Sequence, residues 1–504
     1  MTIKRVILAV LTVLAIVLIG QDLIQSWSQP QFQGQLELYQ TNLVLQSTEW
    51  QGQDENLATA RKNLVGEKPI ESAIEQYQTA RKTAQKNLER TQSLLQSPTS
   101  DQRSLKLMDA KLAQSITELD LRLGLLQAKQ NQISTAQATW NQVTQEATAP
   151  RLESLSKTAA VLGGLWSEPV RLLPNAESLI RKNLDGWFRY QALAQLYPLQ
   201  ERAAVLQTLQ TEEQQSAEQA LSTLTIVGGL PILACLVGSG ILLFLVGQRL
   251  VQGKQAILSL DTIALSSVPW NWEIVWEVLI LGFFFVGQIL LPLAIGLLQS
   301  VLKFNPAELN ERTQAFYILS NYLLLAAGGL SVLYFCLRPF LPLPEGWFRA
   351  QWWSKWLLWG AGGYFAALPL VILISLLNQA IWQGQGGSNP ILPIALQGKD
   401  PVALLVFFST AAIAAPIFEE ILFRGFLLPS LTRYIPTWGA IGLSSLIFAT
   451  AHLSLSEVLP LTVLGTVLGF VYVRSGNLLS SMLLHSLWNS GTLLSLFLLG
   501  RGSS

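Results

Sequence analysis

The chain of 504 residues contains only two histidines, and both lie in apolar segments near its C-terminus. His452 closes the run Leu446-Ile-Phe-Ala-Thr-Ala-His452, and His485 opens His485-Ser-Leu-Trp-Asn489. A third polar cluster, Glu419-Glu420-Ile-Leu-Phe-Arg424, ends another apolar run. Ionisable groups set in hydrocarbon are expensive, which makes them functional suspects by default. Carboxylate, imidazole and carboxamide are side chains of proton transfer and oxyanion binding. Together they point to a hydrolytic site inside a membrane protein.

Adjacent residues on a helix point about 100° apart, so Glu419 and Glu420 cannot face one cavity equally. Arg424 is four residues from Glu420 and shares its face. Glu420 is therefore expected to pair with Arg424, leaving Glu419 for the cavity as a general base. The competing reading is a cluster of three charges at the membrane interface. Pro416 loosens the preceding helix. His485 and Asn489 lie one turn apart, and both can donate toward one developing oxyanion; the plainer alternative is polar glue between helices. Two histidines and a glutamate also match a catalytic zinc set in kind. Against zinc, there is no His-Glu-x-x-His pair, no further histidine or cysteine nearby, and Asn489 is a poor ligand. A metal-free glutamate/histidine mechanism without a cofactor is favoured, with zinc as the alternative. No Gly-x-Ser-x-Gly elbow appears, which argues against a serine protease.

These groups need helices to hold them. Half of the residues are hydrophobic, mean hydropathy is +0.37 and 13% are charged, against about a quarter in soluble proteins. The apolar excess falls in a short N-terminal run and a dense block from Leu221 to Gly500, where several stretches reach the roughly 20 residues that cross a bilayer. Candidate spans are 222–247, 276–299, 316–338, 356–378, 402–420, 437–455, 458–473 and 478–499, which with the first run make about nine crossings. If every span crosses, Arg249, Lys254, Arg338, Arg349, Lys355, Arg424, Arg433 and Arg474 share one side with Lys4 and Arg5. That side is then cytoplasmic. The stretch around 339–355, with Trp347, Phe348, Trp352, Trp353 and Trp356, reads as an interfacial aromatic belt. Net charge is +1, so nothing favours nucleic acid as a partner. Cys235 and Cys336 fall in expected spans, and a disulfide scaffold is not expected.

Residues 1–27 read as an uncleaved membrane anchor: Lys4 and Arg5 precede the Val6–Gly20 run, and no clean Ala-x-Ala site follows. A signal sequence is the alternative. Residues 28–220 are polar, with one helical seam at Tyr77, Ala84, Leu88 and Leu95 and a second at Leu105, Met108, Leu112, Leu119 and Leu126. Pro98-Thr-Ser-Asp101 separates them and offers Ser100 or Asp101 as an N-cap. An antiparallel, coiled-coil-like hairpin is expected, followed by shorter packed helices around Trp166, Pro169, Pro174, Trp187 and Phe188. No motif here carries chemistry, so the region is a spacer or an arm for an extracytoplasmic protein partner. The expected fold is all-α: a polytopic transmembrane helical bundle with an N-terminal extracytoplasmic helical domain. Residues 221–355 supply additional membrane helices, and residues 356–500 carry the site.

The three polar segments resemble the CAAX protease and bacteriocin-processing family of membrane endopeptidases. Its signature runs Glu-Glu-x-x-x-Arg, Phe-x-x-x-His and His-x-x-x-Asn/Asp, in that order. This chain supplies Glu419-Glu420-x-x-x-Arg424, Phe448-x-x-x-His452 and His485-x-x-x-Asn489. The resemblance covers roughly residues 356–500. It implies that Glu419 activates water with help from His452, that His485 and Asn489 hold the tetrahedral oxyanion, and that Glu420 with Arg424 keeps the first helix in place. It further implies a membrane-associated peptide or protein substrate and a multi-pass location in the lipid bilayer of a bacterial-type inner (plasma) membrane or a thylakoid-like one. A catalytically silent scaffold or immunity-type protein of the same fold is the alternative. A transporter would show paired inverted repeats, and none is visible.

Hydropathy places Glu419 near the cytoplasmic end of its span and His452 about 22 Å along the next, at 1.5 Å per residue. A joint site needs these groups within reach of each other, directly or through one water. The stretch 402–430 is therefore expected to form one long, kinked helix. Gly465-x-x-x-Gly469 is suited to close helix packing, within the chain or between chains.

Overall fold

A bilayer offers no water to backbone N–H and C=O groups, so apolar runs of membrane length must satisfy them internally as helices. That is the architecture of this protein, a computed structural model that describes residues 2–502 apart from 28, 30, 97–101, 148, 261–267, 304, 307–308, 345, 383 and 390. The fold is all-α, with no strand among the described residues. The chain divides into two compact units, residues 1–31 with 231–497 and residues 32–230 with 498–504.

α1 (Ile3–Ser26) belongs to the first unit. The second contains α2 (Gln33–Thr48), α3 (Glu55–Leu64), α4 (Pro69–Leu95), α5 (Gln102–Lys129), α6 (Ile133–Glu146), α7 (Glu153–Leu165), α8 (Ala176–Asn183) and α9 (Gly186–Leu199). α4 and α5 run antiparallel: Arg81 Nε donates to Asp120 at 2.5 Å, and Gln92 Nε2 donates to Asp109 at 3.1 Å. Of their expected seams, Tyr77, Leu119 and Leu126 are buried while Ala84, Leu88, Leu95, Leu105, Met108 and Leu112 are half-buried. Trp140, Leu162 and Trp187 share the same core, so the hairpin is one part of a multi-helix core rather than a free two-stranded rod. Ser100 and Asp101 lie outside the described residues.

α10 (Ala203–Gln252) is one helix of 50 residues. It runs unbroken through the expected boundary at 220/221. The longer helices that follow are α11 (Trp272–Leu302), α12 (Glu311–Leu337), α13 (Trp356–Trp382), α14 (Pro401–Leu431), α15 (Thr437–Thr450), α16 (Leu455–Ser475) and α17 (Leu478–Gly502), with a short helix Ile391–Gln397 before α14. Eight of the described helices are long and apolar enough to cross a membrane: α1, α10 to α14, α16 and α17. The protein is thus a multi-pass membrane protein. The stretch expected as a ninth crossing, 437–455, holds a shorter apolar helix that is not among these eight. α15 has 14 residues, about 21 Å at the helical rise, short of a hydrocarbon core of about 30 Å. It ends because the chain turns at Leu453, which adopts a left-handed φ of 57°. The span 402–420 drawn from hydropathy is too short, and the single long helix expected over 402–430 is present: α14 continues without a break to Leu431.

α1 is fastened within its unit by polar contacts. Arg5 pairs with Glu273 at 2.8 Å, Lys4 pairs with Glu277, and Trp276 Nε1 donates to Thr12 Oγ1 at 2.7 Å. At its other end Ser26 Oγ accepts from the Leu455 N–H at 3.1 Å. The aromatic belt is only partly a surface feature. Trp352 and Trp353 are exposed, whereas Trp347 packs 4.6 Å from Trp270 and Phe348 lies against Gly425. Cys235 and Cys336 are free thiols, both half-buried.

Candidate active site

α14 begins at Asp400, whose Oδ1 accepts from the N–H groups of Val402 and Ala403 at 2.8 and 3.0 Å, with Pro401 in the first turn. The Ala403 N–H and the Arg312 guanidinium hold the Asp400 carboxyl below its ordinary value of 3.8. Farther along, Thr410–Ala414 and Ile421–Leu427 are wide, π-helical turns. They flank the α-helical stretch Ala415–Glu420. Wide turns displace backbone carbonyls from the i→i−4 ladder and re-aim the side chains around them.

Glu419 lies 12 residues before the end of α14, about 18 Å by the helical rise, and Phe448 lies 11 residues after the start of α15, about 16 Å. The two helices are joined by the short segment 432–436, so the Glu419 and Phe448–His452 levels match. Gly476, at φ 60°, ends α16. Asn477 then accepts from the Leu479 N–H at 3.1 Å and starts α17, which carries His485.

Four of the expected residues meet directly. Glu420 Oε1 accepts from Arg424 Nη1 at 2.8 Å and from His485 Nδ1 at 2.9 Å. Glu420 and Arg424 are both fully buried. Arg424 therefore does not belong with the charges expected outside the span, and the interfacial-cluster reading does not hold: its guanidinium is inside the bundle, where Nη2 donates to Gly465 O at 3.2 Å. Glu419 Oε2 is buried, has no hydrogen-bond partner, and lies 3.9 Å from His485 Nε2. Glu419 Oε1 accepts from Tyr322 Oη at 3.2 Å.

The other two residues stand at one remove. His452 Nδ1 bonds to Phe448 O at 2.9 Å. The Phe448 ring lies 5.0 Å from His452, 5.8 Å from His485 and 4.6 Å from the Arg424 guanidinium carbon. Phe448 thus links the motifs on three helices. Asn489 Nδ2 donates to Ala411 O at 2.7 Å, inside the first wide turn. One of its two N–H groups is engaged there, on a carbonyl displaced by the wide turn.

The partners assign the ring nitrogens. A backbone carbonyl can only accept, so His452 carries its proton on Nδ1 and presents Nε2 as a lone pair. Glu420, ion-paired with Arg424, is likewise an acceptor, so His485 Nδ1 holds a proton and its Nε2 faces Glu419. For Nε2 also to donate, the His485 ring must take a second proton, which sets it as a cation beside two carboxylates, Glu419 and Glu420. No group of three His, Cys, Asp or Glu side chains among the described residues is placed to hold a metal ion. An apolar cavity of about 360 Å³ is lined by Leu330, Leu333, Leu337, Arg338, Ile421 and Met482, and none of the six expected site residues is part of its wall. Ile421 directly follows Glu420.

Tyr322 was not singled out by sequence reasoning. It is one aromatic residue in an apolar helix, and no spacing relates it to a motif 97 positions away.

Fold and side chains define a multi-pass, all-α membrane protein with buried ionisable groups clustered near its C-terminus. Residues 401–491 match a family model described as Rce1-like, type II CAAX prenyl endopeptidase Rce1-like. A CAAX protease family domain is therefore present in this part of the chain. Searches of curated proteins and of solved structures returned no match. The matched segment contains Glu419, Glu420, Arg424, His452, His485 and Asn489, and it excludes Tyr322.

Proposed function

We propose that the protein is an intramembrane endopeptidase that hydrolyses a peptide bond of a membrane-associated protein or peptide through glutamate/histidine-activated water. The observation that carries this reading is Glu419: a carboxylate with one oxygen held by Tyr322 and the other buried, unpartnered and facing His485 Nε2. Water gives its proton to Glu419 Oε2 as its oxygen bonds to the scissile carbonyl carbon. His452 orients that water through the lone pair on Nε2. The oxyanion is held by His485 in its doubly protonated form and by the second N–H of Asn489. When the intermediate collapses, the C–N bond breaks and the proton passes from Glu419 to the leaving amine.

Residues 28–220 serve in this reading as an extracytoplasmic arm, with a protein partner as its occupant. A catalytically silent scaffold of the same fold is the second reading, and the engagement of Asn489 by Ala411 favours it.

The test is cleavage of a membrane-peptide library by purified protein, alongside Glu419→Gln and His485→Ala. The parent is expected to cleave, to keep its activity after exhaustive chelation, and to lose about 10²–10⁴-fold in rate with either substitution. Equal cleavage by all three removes this site. A parent that cleaves nothing leaves the scaffold.

A further inference from the structure

We infer that Tyr322 is a positioning residue for the general base, and that its hydroxyl determines which oxygen of Glu419 takes the proton. The inference rests on the base assignment for Glu419 made above. A glutamate side chain turns about a broad, roughly two-fold terminal torsion, so an unrestrained carboxylate offers either oxygen. Tyr322 Oη donates to Oε1 at 3.2 Å and removes that freedom. Facing an ionised carboxylate, a phenol can act only as a donor. Oε2 is left buried, without a partner, 3.9 Å from His485 Nε2.

The donor is itself held in place. The Tyr322 ring meets Phe418, the residue before Glu419, edge-to-face at 6.3 Å and 85°. Seven residues on, along the same side of α12, Gly329 gives the Phe418 ring room: a Cβ there would stand 3.1 Å from it. Phe418 is buried under these contacts. α12 therefore seats against α14 at the turn that carries the base, and brings one hydroxyl to it. Tyr322 touches Glu419 and acts through it. It lies outside the segment that matches the family model.

The experiment compares Tyr322→Phe, replacement of Tyr322 by 4-aminophenylalanine, and Glu419→Gln, each purified full-length, in kcat, KM and thermal unfolding. The Phe variant keeps the ring against Phe418 and loses only the donor. Its kcat is expected to fall about tenfold or more with KM unchanged and the protein still folding cooperatively, the effect of deleting one hydrogen bond to a charged group. The 4-aminophenylalanine variant keeps an N–H donor on the same ring and is expected to restore kcat. A folded Phe variant with parental kcat, beside an inactive Glu419→Gln, overturns the role of Tyr322 and spares the base. A Glu419→Gln protein that cleaves at the parental rate overturns the base assignment itself. A folded 4-aminophenylalanine variant that does not recover the parental kcat overturns the proposal, even where the Phe variant fails to fold.

Discussion

At Glu420 one oxygen serves two cations or near-cations: Oε1 accepts from Arg424 at 2.8 Å and from His485 at 2.9 Å. Arg424 is further held by the Gly465 carbonyl and by the Phe448 ring face. Removing one member of a buried ion pair leaves the other charge uncompensated, at about 3–5 kcal/mol. Arg424→Met is expected to destabilise the protein by that amount, read as a lowered unfolding midpoint in detergent. The double variant Glu420→Gln/Arg424→Met is expected to recover much of the loss without recovering activity, because His485 no longer has the carboxylate that fixes its tautomer. Full recovery of peptide cleavage in the double variant would remove Glu420 from the site. The Glu420–Arg424 pair was legible in the sequence because i, i+4 neighbours meet through helix geometry alone. The pairing of His485 with Glu420 spans 65 positions, and that of Tyr322 with Glu419 spans 97. Such contacts depend on how helices dock, which no local spacing encodes. Asn489 was legible as a polar residue in an apolar helix, but its partner is a carbonyl displaced by a wide turn, and a displaced carbonyl has no signature in residue type.

Between elements, the close approach of α15 and α16 depends on Gly465 and Gly469. A Cβ at Gly465 would stand 2.9 Å from that of Ser445, and one at Gly469 would stand 3.1 Å from the Ile441 and Leu428 side chains. The small-x-x-x-small pattern is used inside the chain here. Gly465→Val is expected to cost about 1–3 kcal/mol through overpacking, and to impair cleavage by moving the carbonyl that holds Arg424. Gly442→Ala on α15, where a Cβ meets nothing within 4 Å, is expected to be neutral or to stabilise by up to about 1 kcal/mol. Thermal unfolding of the two variants checks both, and equal midpoints would refute the packing account. Helix ends were the least legible feature, for a physical reason. Hydropathy drops at Glu419, Glu420 and Arg424 as though water began there, yet two of these charges are buried against each other. α14 therefore continues where composition suggests a stop. α15 stops early for the opposite reason: Leu453 takes a left-handed conformation usually left to glycine or asparagine, and an apolar leucine gives no warning of a turn.

Across the whole molecule, solvent rather than side-chain pairing decides which helices are polar. The polar unit contains a carboxyl that reports its own folding: Glu177 accepts from Arg202 at 2.6 Å, Tyr197 at 2.8 Å and Arg181 at 3.1 Å. The Arg202 hydrogen bond, ahead of the Tyr197 and Arg181 bonds, holds it down from its ordinary 4.5 to about 2. A carboxyl depressed on folding stabilises the fold above its ordinary value, and that contribution is lost as pH falls from 4.5 through about 2. Unfolding midpoints of the full chain are expected to fall across that window, and Glu177→Gln is expected to flatten that part of the profile. Sidedness follows from α10. Its 50 residues make about 75 Å of helix, more than twice a hydrocarbon core of about 30 Å. The apolar part from 222 is long enough to cross, which leaves the part bearing the exposed Glu212 and Glu218 outside the hydrocarbon. Arg249 and Lys254 lie just past the apolar part, and the positive-inside rule predicts that end to be cytoplasmic. With Cys235 and Cys336 replaced by alanine, Gln51→Cys is expected to react with an impermeant maleimide in intact cells, and Gln255→Cys only after permeabilisation. Both positions are exposed. The reverse pattern would invert the topology while keeping the crossing. Labelling of both from one side would deny that α10 spans the membrane, and the arm would then share a compartment with the Arg249 end of the same helix.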